Sequence, residues 1–284
     1  MKKLLIVSGD SFTDRSFRSA AHPEMDTSFP MWPDLLAEKL DMRLINLGRS
    51  GQGNEYIYSV LQDTIENIED KASIGMVVAG WSQCFRSDYQ EGAQWFSRKV
   101  WKDQLWVEKD IMQIARIGGL KEVSKGWVAE RVNPQGDIFS WIRKSLRTYQ
   151  NLVYLCERYN IPYAQTQMIP LYVDYLRGLP PTDQEIMFGG KTFENDTMVY
   201  PGDFEEDQDK IRKIILSYDG ILGEGNFIGW PISRSIGGYP LSIEVCGVVG
   251  SPYVISEYDG HPNEEGHKRI AEHKIGRASC RERV

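Results

Sequence analysis

The chain has 284 residues, enough for one or two domains, and 41% of them are hydrophobic, which supplies a sizeable core and excludes a disordered chain. A formal net charge of −7 lacks the electrostatic footprint of a nucleic-acid binder and disfavours anionic membranes, so neither is expected as a partner. The four cysteines, at 84, 156, 246 and 280, show no paired spacing and read as free thiols in a reducing compartment, with no zinc site.

No segment approaches the apolar length of a transmembrane helix. Met1-Lys2-Lys3 before Leu4–Val7 mimics a signal peptide, but the apolar run is too short and no small-residue cleavage site follows. A cytoplasmic location is expected. The run ends in Gly9-Asp10-Ser11, the pattern of a buried strand entering a tight turn that presents a hydroxyl at the strand's C-terminal end. In an open α/β sheet that edge is where ligands and reacting groups sit. Ser11 is thus a candidate nucleophile, although Ser11 with Asp14 three residues later equally fits a helix capping box.

Residues 12–33 read as a loop lining the mouth of a site, with His22 as a rival base. A helix is predicted over 33–40, opened by Pro33. Arg43–Leu47 is a second strand. The glycine-rich turn Gly48–Asn54 follows, then an amphipathic helix to about Ile68. The turn does not fit Gly-x-Gly-x-x-Gly and follows the second strand, so donating N–H groups to an oxyanion is preferred over dinucleotide binding. Ile74–Gly80 is a third strand, ending in Trp81-Ser82-Gln83.

A helical insertion is predicted over about 85–135, carrying Trp95, Trp101, Trp106 and Trp127, with one helix over 99–117. Packing of a lid is the favoured role of these rings, ahead of a platform for sugars. Asp137–Tyr159 is a strong helix and Ile161–Gln167 a fourth strand, with Gln165 and Gln167 candidates to line the cleft. A second, irregular insertion is predicted over about 170–250. Its acidic run, Asp203 to Asp209, lacks the ligand spacing and glycine of a calcium loop and reads as a solvated face. Residues 252–256 lead to Asp259-Gly260-His261-Pro262. Asn263 reads as the cap of a last helix, with Glu264 and Glu265 in its first turn. His261, His267 and His273 lie six apart, not i, i+4, so no metal site is expected. Residues 275–284 break the helical pattern and read like a translated sequencing-library adapter, leaving 1–274 as one domain.

A serine hydroxyl needs a base to take its proton, and the base needs an orienting acid. Ser11, His261 and Asp259 supply those types. With Gly9-Asp10-Ser11 first, Asn46-Leu47-Gly48-Arg49-Ser50-Gly51 second and Asp259, His261 and Pro262 last, the chain resembles the SGNH (GDSL-type) hydrolase family. The resemblance implies an α/β/α sandwich with a mainly parallel, flavodoxin-like sheet. It implies a serine esterase without cofactor, acting on a small-molecule or carbohydrate ester such as an O-acetyl sugar. Ser11 and Gly51 would offer backbone N–H groups to the oxyanion. Ser82 falls where the family has an asparagine whose amide stabilises the oxyanion, so Ser82 would join these donors if its hydroxyl reaches, with Gln83 the longer alternative. Asp10, Asn54, Trp81 and Gln83 would contact substrate. Two departures stand out. The third block reads Gly80-Trp81-Ser82 rather than Gly-x-Asn, and a single residue separates Asp259 from His261, with Glu257 the alternative acid. O-acyl transfer by the same residues, or a catalytically degenerate glycan-binding or structural module, are the other readings. The oligomeric state is left open.

Overall fold

The computed structural model describes residues 2–84, 86–92, 94–99, 138–171, 204–247 and 250–273. Its frame is a five-stranded sheet with β1 (Leu4–Ser8), β2 (Arg43–Asn46), β3 (Ile74–Trp81), β6 (Tyr163–Gln167) and β7 (Phe227–Ile228) in the order β2-β1-β3-β6-β7. Every pairing is parallel. β1 and β3 are buried along their whole length, which is why they read as continuous apolar runs and not as alternating ones.

Helices cover both faces. Leu4 and Ile6 of β1 join a core with α2 (Asn54–Asn67), α3 (Ile138–Arg158) and α4 (Phe204–Leu216). Leu5 and Val7 join the opposite core with α1 (Trp32–Lys39), α5 (Leu241–Cys246) and α6 (Glu264–Glu272). The result is the three-layer α/β/α sandwich with the expected strand order. The α3 face that buries Ile142, Leu146, Tyr149 and Val153 is the helical stripe visible in the sequence. Full burial of each such side chain contributes roughly 1.5–3 kcal/mol.

Two segments differ from expectation. The first insertion begins as an antiparallel hairpin, β4 (Arg86–Glu91) with β5 (Gln94–Lys99), not as a helix. Gly92, at φ 60°, enters its reversal, and Tyr89 stacks across the strands on Phe96. The helix expected over 99–117 and the rings of Trp101, Trp106 and Trp127 lie outside the described residues. Residues 170–250 are not irregular throughout. They supply α4, α5 and the sheet's fifth strand, and β7 is too short for periodicity to reveal. β8 (Val254–Ser256) pairs antiparallel with β9 (Asp259–Pro262), outside the main sheet. Asn263 caps α6, its side chain accepting from the Gly266 N–H at 3.0 Å. Cys84, Cys156 and Cys246 are buried free thiols, and burial pushes the Cys156 and Cys246 thiols up to about 12. Among the described residues no helix is long and apolar enough to cross a membrane.

Candidate active site

The chain turns from β1 at the switch point of the sheet, where β1 connects to β2 on one side and lies against β3 on the other. Thr13 N and Asp14 N both donate to the Asp10 carbonyl, at 2.9 and 3.1 Å, and Phe12 N donates to Asp10 Oδ1 at 3.1 Å. These bonds close a turn and no helix follows, so the capping-box reading of Ser11 fails. Asp14 instead accepts from Ser16 N at 2.8 Å and from the hydroxyl of Ser50 at 2.6 Å.

Thr13 packs where three glycines meet. A Cβ on Gly48 would lie 2.7 Å from both the carbonyl carbon and Cγ2 of Thr13. Gly48→Ala therefore forces the nucleophile turn away from the glycine turn. An expected loss of about 1–3 kcal/mol, read by urea unfolding, accompanies a drop in any activity centred on Ser11.

Ser11 Oγ lies 2.8 Å from His261 Nε2, and His261 Nδ1 lies 2.5 Å from Asp259 Oδ1. The single intervening glycine permits this because Asp259 and His261 stand on one short strand, where the His261 N–H also donates to Asp259 Oδ1 at 3.0 Å. Asp259 is buried, whereas His261 remains partly open to solvent. Burial pushes the Asp259 carboxyl up, but hydrogen bonds from His261 and Ser19 and the His261 charge outweigh it and hold the group below its ordinary value. Glu257 is exposed, so it is not the orienting acid.

The loop after Ser11 encloses this pair more closely than its sequence indicates. Ser19 Oγ donates to Asp259 Oδ2 at 2.5 Å. The rings of Phe12 and Phe17 lie 4.6 and 4.2 Å from the His261 ring. His22, the rival base, has its Nε2 2.6 Å from Ser256 Oγ and makes no bond to Ser11. Ser19→Ala leaves a buried carboxylate oxygen without its donor and frees the acid to tilt. We expect it to lower turnover at Ser11 about ten- to a hundredfold and to move the acid limb of the pH–rate profile upward. Steady-state kinetics across pH checks both.

The expected oxyanion donors separate into two kinds. The backbone N–H groups of Ser11 and Gly51 make no hydrogen bond among the described residues, and Gly51 holds φ 79°, a conformation that favours glycine. Ser82 corrects the expectation. It is fully buried, its hydroxyl donates to Asp10 Oδ2 at 2.9 Å, and its N–H donates to Asn54 Oδ1 at 2.7 Å. It has no donor left for substrate.

Three of the implied substrate contacts are structural instead. Asp10 is buried and accepts from Phe12 N, Ser82 and Arg86. Asn54 is buried and bonds Ser82, Ser145 and Tyr149. Trp81 is buried against Tyr149, its indole N–H donating to Gln165 Oε1 at 2.8 Å. Gln83 is half-buried just past β3. Gln165 and Gln167 are buried in the same network and do not line a cleft. Trp95 packs edge-on against Tyr56, so this ring is core packing. Among the described residues no group of three or more His, Cys, Asp or Glu gathers as a metal site.

Ser19, Phe17 and Arg86 are the residues that sequence reasoning missed. Arg86 Nη1 donates to the Gln52 carbonyl at 2.8 Å and to Asp10 Oδ2 at 3.3 Å. Its only signal in the sequence is proximity to the third block.

No family model matches the chain, and no curated protein matches it. Solved structures match along nearly its whole length. TesA is 13% identical, with 96% of each chain covered and a TM-score of 0.45. The psychrotrophic esterase EstA from Pseudoalteromonas sp. is 12% identical, with 95% of this chain and 93% of that one covered and a TM-score of 0.42. A member of the lipolytic protein G-D-S-L family from Veillonella parvula is 10% identical, with 96% of each chain covered and a TM-score of 0.41.

Proposed function

We propose that this chain is a serine esterase that hydrolyses acyl esters through Ser11, His261 and Asp259. The observation that carries this reading is the unbroken relay of 2.8 Å from Ser11 Oγ to His261 Nε2 and 2.5 Å from His261 Nδ1 to Asp259. Ser11 and His261 are both reachable from solvent, as a nucleophile and its base require.

In the reaction His261 Nε2 takes the Ser11 proton while Ser11 Oγ bonds to the ester carbon. The carbonyl π pair moves to oxygen, and the N–H groups of Ser11 and Gly51 receive that charge. Asp259 holds the Nδ1–H tautomer and stabilises the imidazolium. Collapse of the intermediate returns the proton to the leaving alkoxide. Water, activated by His261 in turn, then releases the acid from the acyl-enzyme. The proposed substrate class is a small acyl ester, an O-acetylated carbohydrate being the example that the motif resemblance implies. A binding module without catalysis would be favoured by a His261 out of reach of Ser11, whereas the 2.8 Å contact supports the catalytic reading.

A fluorophosphonate probe tests the reading, since it traps only an activated serine. We expect one adduct, located by peptide mass spectrometry at Ser11, and its loss in His261→Ala. A chain that takes no label and cleaves no chromogenic acetate ester is not an esterase.

A further inference from the structure

Ser82 adds no side-chain donor to the two backbone N–H groups of the oxyanion site, although removing one such donor costs about a hundredfold or more in rate. One cation reaches both turns that carry those donors, in addition to the Asp14 carboxylate that accepts from Ser50 N and Oγ. Arg86 Nη1 bonds the carbonyl of Gln52, the residue after Gly51, and the carboxylate of Asp10, the residue before Ser11. We propose that Arg86 completes the oxyanion site in place of the missing side-chain amide. Its guanidinium ties the Ser11 turn to the Gly51 turn at a fixed separation and holds a cation beside them. The inference rests on the esterase reading of the same site.

Three observations support a role beyond packing. The Arg86 side chain is only 11% exposed, yet its Nε is buried without a hydrogen-bond partner among the described residues. Native proteins rarely bury a charged donor in that condition, so the position calls for an explanation. Nη2 makes no hydrogen bond among the described residues either. The hairpin also needs no help from Arg86 to dock on α2. Asp88 already does this, its carboxylate accepting from Gly53 N and Tyr56 N at 2.9 Å each. The Arg86 side chain instead turns toward the nucleophile side, against a carboxylate that is fully buried. Asp10 holds the cation in place, and Ser82 gives its own hydroxyl to that same oxygen.

In chemical terms Arg86 forms and breaks no bond. As the Ser11 Oγ–carbon bond forms and its proton passes to His261, negative charge appears on the former carbonyl oxygen. The two N–H donors must stand at the right spacing when it does, and Arg86 is the cationic strut that, with the Asp14–Ser50 bonds, sets that spacing. Both bonds come from Nη1, and a lysine carries its charge on a side chain one atom shorter, so its ammonium falls short of that point.

The test compares wild type, Ser11→Ala, Arg86→Ala and Arg86→Lys on 4-nitrophenyl acetate. It also measures by calorimetry the binding of cacodylate, a tetrahedral oxyanion that needs no turnover. We expect Arg86→Ala to lose about ten- to a hundredfold in kcat with KM nearly unchanged. Arg86→Lys should recover little, whereas millimolar guanidinium added to Arg86→Ala should recover a large part. Cacodylate should bind wild type and Ser11→Ala alike and Arg86→Ala about tenfold more weakly. Unchanged kcat, lost activity that guanidinium does not restore, or equal or absent cacodylate binding in wild type and Arg86→Ala overturns the inference. Should wild type cleave no ester, the esterase reading fails, and cacodylate binding alone decides the role of Arg86.

Discussion

Ser11→Ala is expected to lower kcat for a small acetate ester by about a millionfold while leaving the fold intact. The size follows from how the three side chains act. Without Oγ there is no covalent intermediate, and His261 can only activate water from a position set for the serine. The residual rate then comes from the Ser11 and Gly51 N–H groups and from binding, about a thousandfold or more above water. Alanine keeps the Ser11 backbone N–H, so the oxyanion donors survive the change. Among the described residues the half-buried hydroxyl has only His261 as a partner, so the thermal midpoint should not move. His261→Ala should fall about as far, and the double variant no further, because the residues act as one unit. Asp259→Asn should cost about ten thousandfold, since the amide turns an N–H toward Nδ1 and favours the wrong tautomer. Parallel kinetics and thermal unfolding of these variants check the set. Activity that persists in Ser11→Ala assigns the chemistry elsewhere.

The residues of this relay were legible in the sequence, although about 250 positions separate Ser11 from His261. Their types are chemically restricted, and each sits at a strand end or turn that Gly9, Gly48 or Pro262 marks. The frame was legible for a related reason. β1 and β3 are apolar runs, and α2 and α3 repeat their apolar positions at 3.6 residues, so burial wrote itself into the pattern. What failed did so for identifiable causes. β7 forms two residues of strand because tertiary pairing with Gln165 and Thr166 selects it, not local preference. Trp81 was misplaced although its position was available. Period-two alternation puts it on the face of Val77 and Ala79, which packs against α3, and the block resemblance pointed the other way. Ser19 and Arg86 are single polar residues in a loop and at a hairpin start. No periodicity marks such positions. Only the fold shows that one meets Asp259 and the other bridges Asp10 and Gln52.

Acid should unfold this protein in part through His267, a residue outside the chemistry. It lies in the second turn of α6, almost wholly buried, and its Nδ1 accepts from the Trp32 N–H at 3.3 Å. That bond requires the unprotonated nitrogen. Burial, aided by the nearby His261 charge, lowers the His267 pKa to about 3 from an ordinary value of 6.5. The sign follows from linkage. Because the folded value is depressed, the unfolded chain binds the extra proton first as pH falls. The native state keeps its full share of stability above about pH 6.5 and loses it progressively toward pH 3. Within that window the slope is about 1.4 kcal/mol per pH unit, close to 3 kcal/mol by pH 4 and large against a typical net stability. His267→Asn keeps an acceptor where Nδ1 stands but does not titrate. We expect it to be less stable than wild type at pH 7.5, where it loses packing against Phe29 and Trp32, yet to fall less steeply below pH 6. The two stability curves, measured by urea unfolding at half-unit pH steps, should converge as pH falls. Parallel curves would mean that His267 takes its proton in the folded state and that other groups set the acid limit. Since His261 sits outside this buried position, the same variant should leave the pH profile of ester cleavage in place. That outcome separates the proton that unfolds the protein from the proton that its chemistry moves.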